Sequence, residues 1–130
     1  MNQEIDAMDN ILVVEDEANL LKLVSVNLQG RGYQVMEAKN GTEALAHLHE
    51  KSPSLIVLDI KLPDFTGWEL LNRMKVDPLI NANIPVIVMT ASITDAHVDM
   101  ELYPIIAEVI IKPFNTMKLI AAIRQVLAPG

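Results

Sequence analysis

The sequence predicts an α/β fold: a single three-layer domain in which an open sheet of five parallel strands is covered by helices on both faces. Three observations carry this reading. Short β-branched runs, apolar at consecutive positions as strands buried on both faces must be, recur along the chain. Segments with helical spacing of apolar residues alternate with those runs. The loops between them are short, so parallel neighbours have to be joined by right-handed helical crossovers. With 130 residues the chain can bury a full core without a disulfide staple, and it has no cysteine to make one.

Residues 1–9 are polar, acidic and aperiodic, which predicts a flexible acidic tail ahead of a domain spanning 10–128, with no output domain after it. The first strand is Ile11-Leu12-Val13-Val14, ending in Glu15-Asp16-Glu17. Leu20, Leu21, Val24 and Leu28 form one stripe of a helix that Gly30 and Gly32 close. Tyr33 to Ala38 alternates apolar and polar residues, as an edge strand with one wetter face does. Asn40, with Glu43 three residues on, has the form of a capping box, and Ala44, Leu45 and Leu48 give the second helix its apolar side. Ser54 to Leu58 is the third strand. Gly67 to Val76 reads as a helix stopped before Pro78, Ile84 to Met89 as the fourth strand, and Val109 to Ile111 as the fifth. The last helix, Thr116 to Leu127, should bury Leu119, Ile120, Ile123 and Leu127.

Composition narrows the function classes. There are 17 acidic and 10 basic side chains and a net charge of −7, which repels phosphate backbones and argues against direct nucleic-acid binding. The absence of cysteine excludes thiolate nucleophiles and Cys-based zinc sites, leaving oxygen or imidazole for any metal. No apolar stretch is long enough for a membrane span and the N-terminus has no signal-peptide pattern, so a cytoplasmic, membrane-independent protein is expected.

In an open parallel sheet, chemistry sits beyond the carboxyl ends of the strands. Here those ends carry Glu15 and Asp16, Asp59, Thr90, and Lys112 followed by Pro113. Any one acid after a strand is ordinarily a solvated loop residue or a cap. Together the five make a rim of three carboxylates, a hydroxyl and an ammonium. The carboxylates repel one another unless a cation joins them, and a hard divalent ion such as Mg²⁺ suits few carboxylates with retained waters and phosphate oxygens.

The segments Ile11-Leu12-Val13-Val14-Glu15-Asp16-Glu17, Leu58-Asp59-Ile60-Lys61-Leu62-Pro63-Asp64 with Gly67, Val88-Met89-Thr90-Ala91 and Ile111-Lys112-Pro113-Phe114 resemble, in order and spacing, the receiver domain of two-component response regulators. The resemblance runs from Asn10 to Leu127. It implies a flavodoxin-like sheet of order 2-1-3-4-5 with five helices, one of them between the fourth and fifth strands. It implies Asp59 as phosphoacceptor, taking a phosphoryl group from a sensor histidine kinase, a histidine phosphotransfer protein or a small phosphodonor. By the same resemblance Asp16 binds Mg²⁺ directly, Glu15 directly or through water, and Asp59 and the Lys61 backbone carbonyl complete the protein ligands. Lys112 would pair with phosphoryl oxygens, Thr90 would donate its hydroxyl to one, and the bond before Pro113 would be cis. Lys61 and Ser92 would flank the path of the hydrolytic water. Such a module catalyses only its own phosphotransfer and dephosphorylation, and it switches the binding of a downstream protein target.

Three features depart from the family pattern. Glu15 stands where many relatives have Asp. Val109 occupies the position three before the lysine where relatives commonly place an aromatic residue that swings inward. The segment Leu102-Tyr103-Pro104-Ile105-Ile106 has proline and no glycine, so the preceding helix should end early. Tyr103, Ile105 and Ile106 then form a partner or homodimer surface, or pack inward. The competing function is a receiver-like interaction module that does not use phosphorylation. A haloacid-dehalogenase-type phosphatase would need a second Asp where Lys61 stands, and a flavodoxin would need a Ser/Thr/Gly-rich loop where Glu15-Asp16-Glu17 would repel the FMN phosphate. Asp64 reads as turn chemistry, and His47 and His49, two apart on a helix, make a poor metal pair.

Overall fold

A computed structural model describes residues 9–92 and 103–128. The strands are β1 (Asn10–Val14), β2 (Gln34–Ala38), β3 (Leu55–Asp59), β4 (Val86–Thr90) and β5 (Ile106–Ile111). The helices are α1 (Ala18–Gln29), α2 (Gly41–Glu50), α3 (Gly67–Val76) and α4 (Thr116–Leu127). All strand pairs are parallel and the order is β2-β1-β3-β4-β5, as expected. Four of the five expected helices lie among the described residues. The one expected between β4 and β5 falls on 93–102, outside them, as does Leu102.

The period of two along each strand divides the core between the two faces of the sheet. Leu12, Val14, Ile56, Leu58, Val86 and Val88 point to one side, where Ala44 and Leu48 of α2 and Leu70, Leu71 and Met74 of α3 cover them. Ile11, Val13, Leu55, Val57, Ile87 and Met89 point to the other, against Leu21, Val24 and Leu28 of α1 and Leu119, Ile120 and Ile123 of α4. Each fully buried Leu, Ile or Val contributes about 1.5–3 kcal/mol. The three inner strands β1, β3 and β4 are therefore apolar at consecutive positions, and the four-residue runs of the sequence are their signature. Leu127 is only partly buried, because α4 is ending there.

Caps fix where the helices begin. Glu17 accepts the Leu20 N–H at 2.7 Å to start α1, Asn40 the Glu43 N–H at 2.7 Å to start α2, Thr66 the Glu69 N–H at 3.2 Å to start α3, and Asn115 the Met117 N–H at 2.7 Å to start α4. Each cap sits just past the C-terminal end of a strand or the loop after it, so the same residues that stop strands aim helices back across the sheet. After α1, Gly32 takes a φ of 95°, a conformation costly for a residue with a side chain, and turns the chain into β2.

β5 begins three residues earlier than the sequence predicts. Its pairing with β4 slips between Val86 and Ile87: Val86 faces Ile106 but Ile87 faces Glu108, leaving Ala107 as a bulge. Exposed Ala107 and Glu108 interrupt the apolar run on this edge strand, which hid its first half. Ile106 is 3% exposed within the core, which removes it from the expected partner surface. The correction has a simple cause: Ile106 is a sheet residue paired with Val86, not part of an irregular link. Tyr103, Ile105 and Val109 are half-buried against the same core. Tyr103 stacks on Trp68, with ring centroids 5.4 Å apart, and its hydroxyl donates to Asn72 Oδ1 at 3.4 Å.

Candidate functional site

Four strand ends deliver the five rim residues to one place. Glu15 directly follows β1 and donates its N–H to the Ala38 carbonyl, at 3.0 Å, which prolongs the pairing with β2 and leaves Glu15 fully buried. Asp59 closes β3 and Thr90 closes β4, both buried. Lys112 directly follows β5, its N–H donating to the Thr90 carbonyl at 2.7 Å, and the Lys112–Pro113 bond is cis. Asp16 is exposed above this floor.

One ammonium joins two of the three acids. Lys112 Nζ donates to Glu15 Oε1 at 2.7 Å and to Asp59 Oδ2 at 2.9 Å, with the Lys112 side chain 20% exposed and those of Glu15 and Asp59 1% and 7%. Charges so far out of water are tolerated because each has a partner of opposite sign. The remaining acceptors are used locally: Glu15 Oε2 accepts the Glu17 N–H at 3.0 Å, and Asp59 Oδ1 accepts the Lys61 N–H at 3.1 Å. Burial raises the Glu15 carboxyl above its ordinary pKa, against the opposing pull of Lys112 and the Glu17 amide. Burial alone would lower the Lys112 ammonium, yet its bonds to Glu15 and Asp59 outweigh that and hold it above the usual lysine value. Thr90 Oγ1 accepts the Ser92 N–H at 3.0 Å, which orients the hydroxyl at the end of β4.

The donor set fits a hard cation. Glu15, Asp16 and Asp59 each offer a carboxylate oxygen, and these oxygens lie within 4.8 Å of one another. All are oxygen donors, and only one of the three residues is exposed, as suits an ion that keeps several waters on its open side.

Two features were invisible to motif reading. A groove of about 410 Å³ opens beside Lys112, lined by Glu17, Leu20, Leu23, Ala91, Pro113 and Phe114, so that α1 and the loop after β5 form one apolar wall next to the acids. Leu23, which lies off the buried stripe of α1, is half-exposed there. The second is Asp64, which accepts from the first turn of α2 as well as from its own loop.

Residues 11–124 match the response regulator receiver domain. The chain belongs to that family. It is 37% identical over 117 residues to the phosphate regulon transcriptional regulatory protein PhoB of Pseudomonas aeruginosa, covering 90% of this chain and 51% of that protein. It is 31% identical over 114 residues to the DNA-binding response regulator MtrA of Mycobacterium leprae, covering 88% of this chain and 49% of that protein. The chain thus spans about half the length of these curated relatives. Among solved structures, the response regulator TrrA of Thermotoga maritima, in complex with Mg²⁺ and BeF, superposes with a TM-score of 0.76 at 31% identity, covering 92% of this chain and all of that one. A CheY-like receiver domain protein from Methanospirillum hungatei gives 0.77 at 30%, covering 91% and 92%. The likeness to receiver domains of response regulators is consistent with phosphorylation-dependent two-component signalling. Its acidic cluster is compatible with Mg²⁺, and partners of the family are histidine kinases or phosphotransfer proteins. No helix among the described residues is long and apolar enough to cross a membrane.

Proposed function

We propose that this domain accepts a phosphoryl group on Asp59 from a phosphohistidine of a cytoplasmic histidine kinase or phosphotransfer protein, with Mg²⁺ at Asp16, Glu15, Asp59 and the Lys61 carbonyl. The observation that carries the proposal is the bridging of Glu15 and Asp59 by Lys112 at the carboxyl edge of the sheet, with Asp16 open beside them. A carboxylate attacks a charged phosphoryl group only where the incoming oxygens are neutralised and held in line. Asp59 oxygen bonds to phosphorus, the phosphorus–nitrogen bond of the donor breaks, and the imidazole nitrogen keeps the electron pair. Lys112 then shifts its Asp59 bond to a phosphoryl oxygen while keeping Glu15, so the fixed cation moves little. Thr90 donates its hydroxyl to a second oxygen, already turned by its bond with Ser92.

Bound Mg²⁺ supplies charge neutralisation at the transferring group. The geometry favours Asp16 over Glu15 for direct contact with the ion, since Asp16 is open to solvent while Glu15 is buried and its two oxygens hold the Glu17 N–H and the Lys112 ammonium. The apolar groove between α1 and the loop after β5 supports docking of the donor, because it places a partner's surface next to Lys112. Transfer of labelled phosphoryl from a phosphohistidine-bearing partner protein tests the reading. Transfer should require Mg²⁺ and fail with Asp59→Asn. Equal transfer to the variant would overturn the proposal.

A further inference from the structure

The loop from Ile60 to Thr66 carries Lys61 and joins the phosphoacceptor strand to α3. Its base is closed tightly: the Gly67 N–H donates to the Ile60 carbonyl at 2.8 Å, and a Cβ on Gly67 would lie 2.9 Å from the Asp59 carbonyl oxygen and 3.0 Å from Ile60 Cα. Near its start the Lys61 N–H is held by Asp59 Oδ1. The tip of the loop depends on side-chain contacts instead.

Asp64 supplies them. Its Oδ1 accepts the N–H groups of Gly41 and Phe65, each at 2.9 Å, and its Oδ2 accepts the Thr42 N–H at 2.9 Å and the Thr42 hydroxyl at 2.7 Å. Three of these four donors belong to the first turn of α2, whose N–H groups have no partner inside the helix and whose positive dipole end favours a carboxylate. Phe65 reinforces the joint. Its ring lies so close to Gly41 that a Cβ there would overlap it, and the Arg73 guanidinium, held by Glu69 Oε2 at 3.0 Å, sits 4.1 Å from the ring centroid.

We infer that Asp64 is a positioning residue for metal binding, fixing the loop after Asp59, and with it the Lys61 carbonyl, against the N-terminus of α2. The inference rests on the Mg²⁺ reading above. Asp64 is exposed and its four bonds all run to Gly41, Thr42 and Phe65, so it acts through the loop and not as a ligand. A role as helix cap is only part of this. Asn40 holds the Glu43 N–H and Glu43 Oε1 accepts the Lys39 N–H at 2.8 Å, so α2 has its own start signal, and Asp64 takes the Gly41 and Thr42 N–H groups that these leave. Beyond Lys61 the loop is fixed by the packing of Leu62 and Phe65 on the core and, at its tip, by the hydrogen bonds of Asp64 across to α2. Mg²⁺ demands near-octahedral geometry, and residues that orient its ligands are typically worth tenfold or more in affinity.

Calorimetric titration of the full chain with Mg²⁺, alongside thermal unfolding, separates the two roles. Asp64→Ala should weaken Mg²⁺ binding about tenfold. Asn40→Ala, which removes the local cap of α2, should lower the melting temperature and leave Mg²⁺ affinity unchanged. Wild-type affinity in Asp64→Ala, or equal weakening by Asn40→Ala, would overturn the inference. Failure of the wild-type chain itself to bind Mg²⁺ would overturn the metal reading and this inference with it.

Discussion

At the scale of single residues, Lys112 decides the electrostatics of the site. Its ammonium neutralises two carboxylates that are almost wholly out of water. Lys112→Ala leaves both without a counter-charge and should cost on the order of 3 kcal/mol in urea denaturation at neutral pH without Mg²⁺. The buried Glu15 carboxyl, already raised above its ordinary value of 4.5, should rise further in that variant. Between 4.5 and the folded value the native state binds more protons than the unfolded chain, so stability falls as pH rises through that window. The loss should therefore be smaller at about pH 5 than at about pH 8. A loss independent of pH would contradict this assignment of the charge. Asp64 shows the opposite sign. Burial is the largest single influence and opposes ionisation, but the four hydrogen bonds together outweigh it and hold the carboxyl far below the ordinary 3.8. Its contribution is complete above 3.8 and is lost as pH falls below it. Asp64→Asn should cost about 1 kcal/mol near neutrality, as loss of a cap does. Urea denaturation curves of variant and wild type should converge as the solution is acidified below that value, and a gap that persists in acid would refute the assignment.

At the scale of elements, the sequence was legible wherever local chemistry and burial agreed. α3 and α4 fall at their expected bounds because caps and apolar stripes coincide. β5 was half-hidden, since its bulge puts two exposed residues inside the strand and no local pattern signals a bulge. The rim acids, Thr90 and Lys112 were legible because strand ends in a parallel sheet share one edge. Asp64 looked like turn chemistry, and its bond to Phe65 is that. Its three bonds to α2, 22 and 23 residues away, depend on tertiary packing and leave no local trace. Close backbone approach is similarly silent in sequence, and Gly67 is the instance with consequences. Gly67→Ala would push a methyl group against backbone atoms of Asp59 and Ile60, which cannot yield as a side-chain tip can. The variant should lose about 1–3 kcal/mol by chemical denaturation. Unchanged stability would mean that the start of α3 is less tightly seated on the phosphoacceptor strand. The Trp68–Tyr103 stack joins that same helix start to the entry of β5. Such pairs contribute about 0.5–1.5 kcal/mol beyond burial. Tyr103→Ala should also shift the emission of Trp68, the only tryptophan in the chain, and an unaltered spectrum would place the rings apart in solution.

At the scale of the whole molecule, alternation along five strands builds two cores, and the sheet between them presents one chemical edge. Among the described residues, helices α1 and α4 share one core and α2 and α3 the other, with the sheet between them, and four of its five strands carry Glu15, Asp59, Thr90 and Lys112 to that edge. Val109, half-buried against the core of α2 and α3, has no ring to exchange between inward and outward positions. The central claim is that Asp59 is the residue that receives the phosphoryl group. Reaction with a small acyl-phosphate donor and Mg²⁺, borohydride reduction of the resulting acyl phosphate and tandem mass spectrometry of the peptides tests it most directly. Conversion of Asp59 alone to homoserine, dependent on Mg²⁺, is the predicted result. Reduction at Glu15, Asp16 or Asp64 with Asp59 unmodified would contradict the account.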